Sequence, residues 1–359
     1  MMILRLLTAF PGLIAGAALA CGSEPVVREG YLAGSGGVRI FYRLIGQGPD
    51  TLVAIHGGPG GDMENIAPDL GRLAERHTVI YYDQRGGGRS DLPADTTLLH
   101  VRYFVEDLEA LRRHFGLKRM NLLAHSFGPV LAARYAQTYP ERVARMIFAG
   151  AIGPRRPDAR AYGMTMYARM DSTTRDSIIA VVEALLGGTA SDPLRACEEY
   201  ERLERKAATA RGESTSQKGS ACAASPEAIR YAHRYTSQVT LASLGKWDYS
   251  KSLQHVSAPL LVIYGDRDPS PISSQWAWAA AVGDGRLLVI PGAGHAPHVT
   301  HPDGYFSAVE TFLAGRWPEG VVRNRARGGA GAQSSRDRCF GCEGGGAELR
   351  YHRRGTRSG

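Results

Sequence analysis

Apolar runs and helical patterns alternate along this chain. Val38 to Leu44, Leu52 to Ile55 and Val79 to Tyr82 are short and apolar, the mark of strands, and Val101 to Phe115 carries its apolar residues at helical spacing. A strand at Met120 to Ala124, a helix from Phe127 to Tyr139 and a strand at Val143 to Ala149 follow. This rhythm predicts a mostly parallel sheet with helices on both faces, an α/β fold. It breaks from about Gly153 to Tyr249, where Tyr162 to Met170, Ser177 to Leu186, Leu194 to Ala210 and Pro226 to Leu241 read as helices with no clear strand. The sheet pattern returns at Leu260 to Tyr264 and Leu287 to Ile290, with a helix between them and a last one from Gly304 to Leu313. The helical block between strands of one sheet is expected to cap the site. The expected divisions are a core of 35–152 and 251–316 with a cap of 153–250.

The two ends differ from this body. Residues 1–21, MMILRLLTAFPGLIAGAALAC, have one early positive charge, an apolar stretch and small residues before Cys21, which together read as an export signal. Ala18 to Ser23 resembles a bacterial lipobox, so Cys21 is the expected lipidation site and the membrane an expected partner through that anchor; ordinary signal cleavage is the alternative. Residues 22–34 read as a linker, and 317–359 as a basic, Gly/Arg-rich disordered tail. The net charge of +8 over 359 residues suggests nucleic acid until it is located. From Trp317 onward nine arginines face four acidic residues, and Arg5 adds one more charge, which leaves the body at about +2 and gives no case for nucleic acid. Of the five cysteines, Cys197 and Cys222 can form a disulfide or sit as two buried thiols, and Cys339 and Cys342 lie in the tail.

Unusual residues follow the strands at their carboxyl ends, where open α/β sheets bind ligands. His56-Gly57-Gly58-Pro59-Gly60-Gly61 follows the strand ending at Ile55, and its glycines let backbone N–H groups approach a developing negative charge. Leu122-Leu123-Ala124-His125-Ser126-Phe127-Gly128 runs from strand to helix through Ser126, the form of a nucleophile elbow with Ala124 where glycine is usual. There the Phe127 N–H sits at a helix amino terminus, which favours an oxyanion. A serine capping a helix is the bland alternative. Gly265-Asp266-Arg267-Asp268 and Gly292-Ala293-Gly294-His295 end the next two strands, so serine, acid and histidine appear in the chain order of a hydrolase triad.

These segments, with Asp83-Gln84-Arg85-Gly86-Gly87-Gly88-Arg89-Ser90, resemble the α/β-hydrolase superfamily, specifically proline iminopeptidase-like serine peptidases, over roughly residues 35 to 315. The resemblance implies the α/β-hydrolase fold, Asp268 rather than Asp266 as the acid, and oxyanion donors at Gly58 and Phe127. It implies a serine hydrolase working through an acyl-enzyme, with no metal or organic cofactor, on a small peptide, amide or ester. Release of amino-terminal residues is the favoured activity, with a carboxylesterase or lactonase as the alternative and a non-catalytic binding protein of the same fold as the less favoured one. The chain departs from the family at Ala-His-Ser-Phe-Gly, where those peptidases usually have Gly-Gly-Ser-Trp-Gly, and no Trp-Glu motif for a substrate amine is evident in the cap.

Other residues read more plainly. Glu198, Glu199, Glu201 and Glu204 are expected to form a solvated helix face, although an amine-binding carboxylate is the alternative. His298 and His301 are expected to be loop neighbours of His295 rather than metal ligands. His125 is read as a packing or hydrogen-bonding residue, and Asp83 and Arg85 as braces of the loops around the site. Met164, Met166, Met170 and Tyr167 line either the pocket or the cap core.

Overall fold

A computed structural model of the chain describes residues 27–213 and 217–323. The expected leader, Cys21, Cys339, Cys342 and the tail beyond 323 lie outside the described residues. In chain order the elements are β1 (Val27–Ala33), β2 (Arg39–Ile45), β3 (Thr51–Ile55), β4 (Thr78–Tyr82), α1 (Val101–His114), β5 (Met120–His125), α2 (Gly128–Thr138) and β6 (Val143–Ala149). Then come α3 (Arg156–Ala168), α4 (Ser172–Gly187), α5 (Pro193–Ala210), α6 (Pro226–Tyr231) and α7 (Ser237–Ser243). The chain closes with β7 (Leu260–Gly265), α8 (Ile272–Ala281), β8 (Gly285–Ile290), α9 (Pro297–Thr300), α10 (Pro302–Leu313) and β9 (Val322–Arg323).

The strands form one sheet in the order β1-β2-β4-β3-β5-β6-β7-β8-β9. The pairings from β4 through β8 are parallel, while β1, β2 and β9 pair antiparallel at the edges. Successive strand residues point to opposite faces, which explains the apolar runs: Val53, Ile80, Leu122, Phe148 and Val262 pack under α1, α2 and α8, whereas Ala54, Tyr81, Leu123, Ile147 and Ile263 pack against α10. Strand β3 connects to β4 on one side and β5 to β6 on the other, so a crevice opens between the carboxyl ends of β3 and β5. His56 to Gly61 and Ser126 leave from those two ends.

Helices α3 to α7 interrupt the sheet between β6 and β7. The apolar pattern from Pro226 to Leu241 is not one continuous α-helix: α6 and α7 are joined through a π-helical turn at Ala232–Thr236. Cys197 and Cys222 are joined by a disulfide, packed with Leu185 and Ile229.

Two sequence expectations are corrected. The segment 22–34, read as a linker, contains β1, which pairs with β2 from Val27 opposite Ile45 to Ala33 opposite Arg39. Only Leu32 of this edge strand is buried, so no alternation marks it. The reading of 317–359 as wholly disordered also fails at its start. Trp317 packs 4.9 Å from the Phe312 ring with the Arg286 guanidinium 4.1 Å from its own, and Val322–Arg323 pairs with β8. Two residues are too few for a strand pattern to show.

Candidate active site

Ser126 stands where β5 turns into α2, and it is the only non-glycine residue with positive φ, 60°, among the described residues. Such a backbone is costly for an L-residue and lifts the side chain off the strand end. The turn closes because its neighbours are small. A Cβ at Gly57 would lie 2.8 Å from Ser126 Cβ, and one at Gly128 would lie 2.5 Å from the Ile55 carbonyl oxygen. Ala124, where glycine is usual, is fully buried with its methyl group in the core.

Asp268 and His295 arrive on two loops that run side by side. Arg267 N–H donates to the Ala293 carbonyl at 3.0 Å, and Gly265 has no room for a side chain against that same carbonyl. His295 Nε2 lies 3.0 Å from Ser126 Oγ, and His295 Nδ1 lies 3.0 Å from Asp268 Oδ2. The other oxygen of Asp268 accepts the Ser270 N–H at 2.7 Å, which fixes the carboxylate plane. Asp266 is turned elsewhere and accepts the Gly292 N–H at 2.7 Å, holding the loop that follows β8. The three side chains singled out on sequence grounds therefore form one hydrogen-bonded line. Burial opposes the His295 cation, but the charge and hydrogen bond of Asp268, with Glu204 and Glu213 further off, outweigh it and raise the imidazole pKa. An imidazole of raised basicity beside a serine hydroxyl can accept its proton.

Gly58 borders the cavity with φ 100°, and Phe127 immediately follows Ser126 at the start of α2. The glycine loop is braced from beneath. His56 Nδ1–H donates to the Gly57 carbonyl at 2.7 Å while its Nε2 accepts the Gln84 N–H at 3.2 Å, and burial lowers its pKa to about 4, so the ring is neutral. Asp83 accepts the N–H groups of Met63 and Arg89, and Arg85 makes a buried ion pair with Asp107. His125 Nε2–H reaches the His295 carbonyl at 3.1 Å.

The opposite wall corrects the reading of the cap glutamates. Glu198 is exposed and Glu199 pairs with Arg202 at the surface, as a solvated face should. Glu201 and Glu204 instead turn inward, and with Tyr200, Ala208 and Arg211 they line the same cavity as Ser126 and His295. Glu201 is occupied by Ala221 N–H, Ser220 Oγ and Arg205, and Glu213 by Arg211. Glu204 accepts one hydrogen bond, from the Tyr200 hydroxyl at 2.6 Å, and among the described residues it has no salt bridge. Burial raises its pKa, with Tyr200 and the His295 charge opposing. The missed signal was a spacing: residues 197, 200, 204, 208 and 211 recur every three or four positions, one helix face.

Tyr162, from α3, places its ring 4.9 Å from that of His295. Met166 and Met170 line the cavity, whereas Met164 is 73% exposed. His298 is buried against His125 and Tyr305. Among the described residues no group of three or more His, Cys, Asp or Glu side chains is arranged to hold a metal ion.

The chain resembles proteins of one architecture. A proline iminopeptidase of Heyndrickxia coagulans is 28% identical over 299 residues, 79% of this chain and 98% of that protein. The crystal structure of proline iminopeptidase from Mycobacterium smegmatis matches with a TM-score of 0.57 at 22% identity, covering 80% of this chain and 98% of that one. A thermophilic esterase from Thermogutta terrifontis matches with a TM-score of 0.55 at 20% identity, covering 80% and 98%. At such identities the structures share the fold and decide nothing finer. The family model of the α/β-hydrolase fold matches residues 50–302, and with the sheet, the serine turn and the hydrogen-bonded loops described above, this chain belongs to the α/β-hydrolase family.

Proposed function

We propose that this hydrolase is a serine aminopeptidase that releases an unblocked amino-terminal residue, proline among them, from a small peptide or amide. The observation that carries the reading is Glu204, a carboxyl group with no salt bridge among the described residues, in the cavity that holds Ser126 and His295. A half-buried carboxylate without a salt bridge is costly to keep charged, and a substrate ammonium would offset that cost. The resemblance to proline iminopeptidases supports the same reading.

In this mechanism Ser126 Oγ attacks the substrate carbonyl as His295 Nε2 takes its proton. Asp268 holds the Nδ1–H and stabilises the imidazolium. The N–H groups of Gly58 and Phe127 receive the oxyanion, where donors preset for charge lower the barrier most. His295 then returns the proton to the departing amine, water enters, and the same histidine acts as base for deacylation. Glu204 fixes the amino group, and the cavity of about 370 Å³ suits a short peptide end rather than a folded protein. An esterase would use the same machinery, but its acyl group has no use for a carboxylate at Glu204.

Export is part of the proposal. The leader and the Cys197–Cys222 disulfide both suit an oxidising compartment, and Cys21 is the residue that would carry the lipid. Loss of fatty-acid labelling in Cys21→Ala would support the anchor, and labelling that persists would exclude it.

The test of activity compares prolyl p-nitroanilide, its N-acetyl form and p-nitrophenyl acetate, with wild type and Ser126→Ala. Turnover of the unblocked anilide, poor turnover of the blocked one and loss of both anilide and ester turnover in the variant are expected. Equal turnover of blocked and unblocked anilides would exclude the aminopeptidase reading.

A further inference from the structure

His125 is left over from the chemistry above. It immediately precedes Ser126, where the proline iminopeptidases that the chain resembles usually have glycine, and it is a buried residue of the cavity lining. Burial, followed by the nearby His298 and His295, holds its pKa well below the ordinary histidine value, so it carries one ring proton. The His295 carbonyl can only accept, so that proton is on Nε2, 3.1 Å away. Nδ1 of the same ring is buried with no hydrogen-bond partner. The ring thus makes one directed bond, to the main chain of the residue whose side chain faces Ser126.

The surroundings are shaped around that bond. Gly150, at the end of β6, has φ 53°; a Cβ there would run into the His295 carbonyl oxygen and come within 3.2 Å of His125 Nε2. The His125 and His295 rings also lie 5.1 Å apart, centre to centre. Asp268 holds Nδ1 of His295 and the Tyr162 ring lies against its imidazole, but neither holds its backbone. Among the described residues, no other side chain donates to the His295 carbonyl.

We infer that His125 is a positioning residue for the general base: its Nε2–H bond to the His295 carbonyl ties the loop after β8 to the residue beside the nucleophile, and so sets the Ser126 to His295 distance. The two groups that exchange the proton lie 169 positions apart in sequence, and this bond makes one short bracket of them. Misplacement by about 1 Å costs on the order of 100-fold in rate when reacting groups must be aligned.

This inference rests on the serine mechanism proposed above, and its test separates the two. Two variants fill the space differently. His125→Phe keeps a ring without a donor, and His125→Gln keeps an N–H at about the Nε2 position without a ring. Both are compared with wild type for the rate of labelling at Ser126 by a fluorophosphonate probe and for kcat and KM on p-nitrophenyl acetate, after a melting check. His125→Ala replaces the phenylalanine variant if that one does not fold. The expected result is a labelling rate and kcat about 30- to 100-fold lower in His125→Phe at a KM near wild type, with His125→Gln recovering about ten-fold or more. Wild-type rates in His125→Phe would overturn the inference, as would equal impairment of both variants. No labelling of Ser126 in the wild type would overturn the serine mechanism itself.

Discussion

On the sheet side of the cavity, Ser126, Asp268 and His295 leave the carboxyl ends of β5, β7 and β8, and backbone hydrogen bonds and glycine contacts hold each loop. On the helical side, Tyr200 and Glu204 lie along one face of α5, held by side-chain bonds and by the disulfide between Cys197 and Cys222. The first wall is built where strand ends converge, and the fold allows few alternatives. The second is built from side chains that bond one another along α5. On the proposed function the difference amounts to a division of labour, with chemistry on the sheet and choice of substrate on the inserted helices.

The largest effect should come from the sheet side. Asp268→Asn keeps the shape but presents the wrong hydrogen-bonding partner to His295, and kcat for anilide and ester alike should fall by about 10⁴-fold, as in other serine triads. A loss confined to one substrate class would break the contrast between the walls. Glu204→Gln is the matching change on the helical side. A charge-assisted hydrogen bond is worth roughly 1.5–3 kcal/mol, so KM for prolyl p-nitroanilide should rise about 10- to 100-fold while p-nitrophenyl acetate is turned over nearly as before. Equal loss on both substrates would make Glu204 part of the common machinery instead.

The disulfide should matter less and only on one side. It closes a loop of sequence separation 25, which loop entropy values at about 3.5 kcal/mol. Replacing both cysteines by serine should lower the melting temperature and raise KM for the anilide several-fold, with the rate of fluorophosphonate labelling at Ser126 retained. Loss of labelling would show that the cap also holds the catalytic loops.

The smallest effect links the two walls. His295 acts as base only when neutral, and its pKa is raised, after the opposing effect of burial, by Asp268, Glu204 and Glu213. Activity should therefore fall as pH drops through a midpoint above the ordinary histidine value. Removing the Glu204 charge should move that midpoint down, because the imidazolium loses a favourable neighbour. A pH profile of ester hydrolysis in wild type and Glu204→Gln checks the sign. A midpoint that rises or stays put would show that the cap does not tune the base.

Much of this was legible beforehand. The central strands were readable because each side of them is buried, and the residues placed in one hydrogen-bonded line were readable because each follows such a strand in a glycine-rich turn. Strand β1 was not, since as an edge strand it buries little, and β9 was too short to leave a pattern. Glu204 was named but assigned to a solvated face. Four glutamates on one helix look alike in sequence, and only the placement of one face of α5 against the cavity separates Glu204 from the exposed Glu198.

The sequence by itself determined the central strands of the sheet, the order of serine, acid and histidine, and the glycines that let their turns close, because these depend on local burial and backbone conformation. Tertiary structure alone decided which helix face closes the cavity, that Cys197 meets Cys222, and that Gly150 leaves space for His125 to reach the His295 carbonyl. These depend on contacts between segments far apart in the chain, where no local pattern records which surfaces will meet.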